Sequence, residues 1–168
     1  MSIVDLVLDT GFFAAAVRLA IPLLFGTLSE LTAERSGVLN LGIEGMMLSG
    51  ALAGFGTASA TGSLWLGVLA AIAIGMTIGA VMAVLVVNLR LDQTVTGLGV
   101  SLAATGLVFY SYRLGFGESS TPPSITPFST IPLPFLSDIP VIGQVFFNQY
   151  ALTYVAYLLV PALAVFLY

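Results

Sequence analysis

The chain has 168 residues, of which 58% are hydrophobic and 7% charged, with a net charge of −4. Soluble domains are about a quarter charged, and one of this size has too much surface to hide so many apolar side chains. Together with four Arg and no Lys, His or Cys, this excludes an ordinary soluble domain, a disordered chain, a disulfide scaffold, a zinc or haem site and a Ser-His-Asp triad. It also speaks against a nucleic-acid surface, so an integral membrane protein remains.

The N-terminus opens Met1-Ser2-Ile3-Val4-Asp5, with a second acid at Asp9 and no basic stretch before the first apolar run. It does not read as a cleaved signal peptide, so that run is expected to stay as a span. The remaining charges are clustered. Between Glu44 and Arg90 lie 45 uncharged residues, between Asp92 and Arg113 lie 20, and the 30 residues from Ile139 to Tyr168 carry no charge. A bilayer core of about 30 Å takes about 20 apolar residues of helix. The spacing predicts an all-α, polytopic transmembrane bundle with spans near 11–29, 43–60, 64–88, 93–112 and 149–168. The long gap is divided at Ala60-Thr61-Gly62-Ser63, which is turn chemistry. Barrel strands would be about ten residues long and would alternate, unlike these runs. The positive-inside rule places Arg35 and Arg90 in the cytoplasm and the N-terminus outside.

Within the first span, Arg18 lies too deep to reach water fully and is expected to face a partner helix or a carboxylate. Leu31 to Gly42 is too polar to span and reads as a re-entrant or interfacial segment. Asn40 is a candidate N-cap for the next helix, and Glu44 in its first turn is favoured by the helix dipole. These residues fit either a broken helix whose end faces a substrate path or capping at a membrane interface. Arg35, next to Glu34, is in range of Glu30, Glu34 or Glu44. Gly50 and Gly54, then Gly67, Ala71, Gly75 and Gly79, place small residues at every fourth position and predict close helix packing. Gln93, Thr96 and Ser101 lie on the weakly polar fourth span, suited to a hydrated path or to interhelical hydrogen bonds; Asn88 ends the third. The segment 114–148 holds six of the eight prolines and is expected to form an outer loop lying along the membrane face. No catalytic constellation, phosphate loop, cofactor motif or metal site is predicted.

The run Leu31–Ala51, LTAERSGVLNLGIEGMMLSGA, resembles the N-terminal hallmark of ABC importer permeases for simple sugars and nucleosides, within the ribose and branched-chain amino-acid permease superfamily. Asp92-Gln93-Thr94-Val95-Thr96-Gly97-Leu98 is similar to the segment opening that family's fourth hydrophobic region. Ile139-Pro140-Val141-Ile142-Gly143 with Phe146-Phe147 is similar to its outer loop. The resemblance implies an ATP-driven uptake permease of the plasma (inner) membrane that toggles between outward- and inward-facing states. Its implied partners are a second permease subunit, ATP-binding cassette subunits, an extracytoplasmic substrate-binding lipoprotein and membrane lipid. It also implies that Arg35, Asn40 and Glu44 neighbour the translocation path. The alternatives are a branched-chain amino-acid-type permease, a secondary transporter or channel, and a membrane scaffold. Family members are about twice as long and this chain stops within an apolar run, so a fragment is expected. A stop codon after codon 168 in intact genomic sequence would refute that.

Overall fold

The computed structural model describes residues 10–117, 124–137 and 139–167. Met1–Asp9, Pro122, Pro123 and Tyr168, on which parts of the sequence reading fall, lie outside the described residues. Nearly all regular structure is helical. Contacts divide the chain into two compact units, 30–127 and 1–29 with 128–168.

Helix α1 (Thr10–Arg35) is longer than the predicted span. The residues after Leu31 include no breaker before Ser36-Gly37, and Arg35 suits the negative end of the helix dipole. The polar segment expected over 31–42 is therefore helical to Arg35, and only 36–42 is irregular. Gly37 ends the helix at φ 83°, with Val38 N–H donating to Ala33 O (3.0 Å) and Gly37 N–H to Glu34 O (2.9 Å). This is the Schellman pattern, which places a glycine where a side chain would be strained.

In the unit 30–127, α2 (Ile43–Thr61) and α3 (Leu64–Ala83) form a hairpin. Its turn is the one expected. Gly62 closes α2 in the left-handed region, and the Ser63 hydroxyl accepts from Leu66 N–H (3.4 Å) to cap α3. The two helices meet through glycine. A Cβ on Gly67 would lie 2.7 Å from Gly54 O, and one on Gly50 3.6 Å from Ala71 O. At Gly75 and Gly79 a Cβ would meet nothing within 4 Å. The last turn, Val84–Asn88, is π-helical. Arg90 then takes φ 55°, and Asp92 caps α4 (Gln93–Phe116), accepting from Val95 N–H at 2.9 Å. Helix α4 outruns its predicted end and stops at Gly117. Phe55 of α2 and Phe116 of α4 pack with ring centroids 5.3 Å apart.

In the other unit, the proline-rich segment is more ordered than a loop. It contains strand β1 (Ile131–Pro132) and helix α5 (Ile142–Phe146), and β1 pairs antiparallel with β2 (Asn148–Gln149). Helix α6 (Ala151–Leu167) follows. The Tyr154 hydroxyl ties the segment together: it accepts from Gln149 N–H (3.2 Å) and lies 2.6 Å from Ile131 O and 2.8 Å from Phe147 O.

Five spans are expected from the sequence. Among the described residues three helices are long and apolar enough to cross a membrane: α1, α3 with its π-turn, and α4. Helix α2 is diluted by Gly, Ser and Thr and packs on both α3 and α4. Helix α6 has 17 residues, because β2 takes up the start of its predicted span. Along the long helices large apolar side chains face outward, Leu19 at 76% exposure, Met76 at 71% and Leu102 at 75%. Water would penalise that surface and lipid does not. The chain is a multi-pass helical membrane protein.

Candidate functional site

The irregular segment 36–42 is held by side chains from three helices. From α4, Gln93 uses both ends of its amide. Its Oε1 accepts from Leu39 N–H (2.7 Å) and its Nε2 donates to Gly37 O (3.3 Å). From α1, Glu30 Oε1 accepts from Asn40 N–H at 3.0 Å. From α2, Met46 Sδ takes a weak 3.6 Å bond from Asn40 Nδ2. Asn40 Oδ1 accepts from Gly42 N–H (3.1 Å) and so folds the chain toward α2. These bonds satisfy backbone groups that neither helix nor strand pairs, a requirement for any irregular segment near a membrane core.

Close packing completes the arrangement. A Cβ on Gly97 would sit 2.9 Å from Leu41 Cβ, 3.0 Å from Leu41 N and 3.1 Å from Gly42 N. A Cβ on Gly45 would sit 2.8 Å from Ser101 Cα. Only glycine lets the segment and the start of α2 lie directly on α4.

Of the residues singled out in sequence, the structure brings Asn40 and Gln93 together at this segment, while Ser101 packs on Gly45 of α2. Asn40 does not cap α2 as expected. Gly42 occupies the N-cap position without a side-chain bond, because the Asn40 oxygen is spent on Gly42 N–H. Glu44 is exposed in the first turn of α2, Arg35 is exposed at the end of α1, and Thr96 is half-buried in α4. Neither Glu44 nor Thr96 joins the bonds that hold 36–42 among the described residues. Sequence reasoning gave Glu30 no role at this site. Glu30 appears there only as a possible partner of Arg35, yet it fastens Asn40, and its second oxygen, Oε2, is buried with no hydrogen-bond partner among the described residues. The available signal was an acid near the end of an apolar helix, where burial is costly enough to need a reason.

This is binding and positioning chemistry. A carboxylate and two amides fix a stretch of backbone, and no nucleophile–base pair is assembled. Among the described residues no group of three or more His, Cys, Asp or Glu is placed to hold a metal ion. A cleft of about 260 Å³ lies at the other end of α2, beside Ala58, Gly62 and Leu64.

A family model described as branched-chain amino acid transport system / permease component matches residues 12–168. The chain belongs to this permease family. The permease segment is 42% identical over 162 residues to a putative glucose ABC transporter permease of Haloferax volcanii, covering 94% of this chain and 48% of that protein. It is 35% identical over 141 residues to a guanosine ABC transporter permease of Bacillus subtilis, covering 80% of this chain and 44% of that one. It is 34% identical over 139 residues to a nucleoside ABC transporter permease of Lactococcus lactis, covering 78% and 43%. The permease segment thus spans a little under half the length of these relatives. No solved structure matches it. The family model describes a permease component of a transport system.

Proposed function

We propose that the chain forms part of the translocation pathway of an ATP-binding-cassette importer for nucleosides or simple sugars in the plasma (inner) membrane. The carrying observation is the likeness, over most of this chain, to permeases named for glucose, guanosine and nucleosides. A second permease subunit completes the pathway, ATP-binding cassette subunits drive it, and an extracytoplasmic lipoprotein delivers the substrate. Segment 36–42, with Arg35, Asn40, Glu44, Gln93, Thr96 and Ser101 nearby, is the part that borders the pathway. The packing favours this role, since irregular backbone near a membrane core is tolerated where it is buried in protein or lines a cavity.

The test is uptake of radiolabelled guanosine, glucose and leucine by cells with and without the gene. Loss of guanosine or glucose uptake alone supports the reading. Loss of leucine uptake alone supports the second reading, a branched-chain amino-acid permease, which the family description favours. Asn40→Ala and Glu44→Gln are expected to lower uptake without lowering the amount of protein in the membrane. Unchanged uptake in both would remove 36–42 from the pathway.

A further inference from the structure

Arg18 is the one ionisable residue between Thr10 and Ser29 of α1, about 12 Å of helix beyond Thr10. A charge at such a position is expensive and normally paired. Among the described residues its partners are neutral. Its Nε–H donates to Gln149 Oε1 at 2.9 Å, and its guanidinium lies 4.6 Å from the centre of the Tyr150 ring. Gln149 is fully buried and is held in turn, its Nε2 donating to Val145 O (2.6 Å) and Ala14 O (3.4 Å). A locked amide and a stacked ring therefore orient the guanidinium, which itself is half-buried. Among the described residues the positive charge is left whole, and so are the four N–H donors of the two Nη atoms. That fork matches an oxyanion in two-point geometry.

The level of the cluster narrows the choice of anion. Gln149 ends β2 and Tyr150 directly precedes α6. Irregular backbone gives way there to an apolar helix, the change expected at a membrane–water boundary, where tyrosine is enriched. Phosphate is the abundant oxyanion at that depth.

We propose that Arg18, oriented by Gln149 and Tyr150, binds a phosphate oxyanion at the membrane interface, supplied by a phospholipid headgroup or by free phosphate. The cluster and segment 36–42 belong to different units, and the proposal does not depend on the transported substrate.

The test is native mass spectrometry of the full chain, purified from membranes in detergent. It is titrated with phosphatidylglycerol, phosphatidylcholine and the phosphate-free lipid monogalactosyldiacylglycerol, and separately with inorganic phosphate. Both phospholipids are expected to bind at least about tenfold better than the galactolipid, and Arg18→Gln to erase the difference. Competition by millimolar inorganic phosphate assigns the site to free phosphate; its failure to compete assigns it to lipid. Should Arg18→Gln not fold, Arg18→Lys keeps the charge without the fork and Tyr150→Leu removes the stacking face. Each is expected to reduce the preference about threefold. The proposal is overturned if the wild-type chain binds all three lipids alike, or if the substituted chains keep the wild-type preference. It is equally overturned if Arg18→Gln leaves the preference intact but detaches another membrane polypeptide, since a protein carboxylate would then be the counter-ion.

Discussion

Gly97→Ala adds a methyl group where α4 touches segment 36–42. The new Cβ would lie 2.9 Å from Leu41 Cβ, 3.0 Å from Leu41 N and 3.1 Å from Gly42 N. Carbon atoms in comfortable contact are about 3.5–4.0 Å apart, so the segment must retreat by roughly half an ångström. Two of the three atoms are backbone, and no rotamer change moves them. Retreat also stretches the bonds from Leu39 N–H to Gln93 and from Asn40 N–H to Glu30. Overpacking of this kind costs about 1–3 kcal/mol, while removing a glycine from a helix returns up to about 1 kcal/mol. Gly99, two residues along the same helix, has nothing within 4 Å of its would-be Cβ and supplies the control. Gly99→Ala is expected to match or exceed wild-type stability. The difference between the two substitutions, in which helix propensity nearly cancels, is expected to be about 1–3 kcal/mol. The assay is reversible unfolding in mixed detergent micelles, followed by helical circular dichroism, with amide exchange at Leu39 and Asn40 as a local readout. Equal midpoints for the two alanine variants, or unchanged exchange in Gly97→Ala, would refute the reasoning.

Three further outcomes follow from the same contacts. Gln93→Ala removes both bonds from α4 to the segment and is expected to cost about 1–2 kcal/mol, with faster amide exchange at Leu39; unaltered exchange there would count against the contact. Glu30→Gln keeps an acceptor for Asn40 N–H and is expected to preserve its exchange protection, whereas Glu30→Ala is expected to lose it, and identical behaviour of the pair would dismiss Glu30 as the holding group. Asp92→Ala removes the cap of α4 and is expected to cost about 1 kcal/mol, visible as fraying at Val95 in amide exchange.

Much of the fold is legible along the chain because its causes are local. The uncharged runs mark apolar helices, and the turn after Ala60 is written in Gly62 and Ser63, whose bonds reach no more than four residues. The site is legible only in part. Gln93 and Asn40 stand out as polar residues in apolar surroundings. What they hold is not visible in sequence, because Gln93 and Leu39 are 54 residues apart. The glycine pattern shows the same limit. Gly67 and Gly79 look equivalent in sequence, yet one faces Gly54 O and the other open space. Spacing defines a helix face, but only the neighbouring helix decides whether that face is covered.

By itself, then, the sequence determined that this is a helical membrane protein, where the hairpin of α2 and α3 turns, and which family's hallmark it carries. Those properties depend on apolar length, capping chemistry and an ordered run of residues, all local in the chain. The tertiary structure alone decided that α1 continues to Arg35, that Glu30 fastens Asn40 in the polar segment, and that Arg18 meets Gln149, 131 residues away. Contacts at that separation depend on how helices cross. A helix carries its periodicity in its own sequence, but its crossing point is set by the shape of the surface it meets.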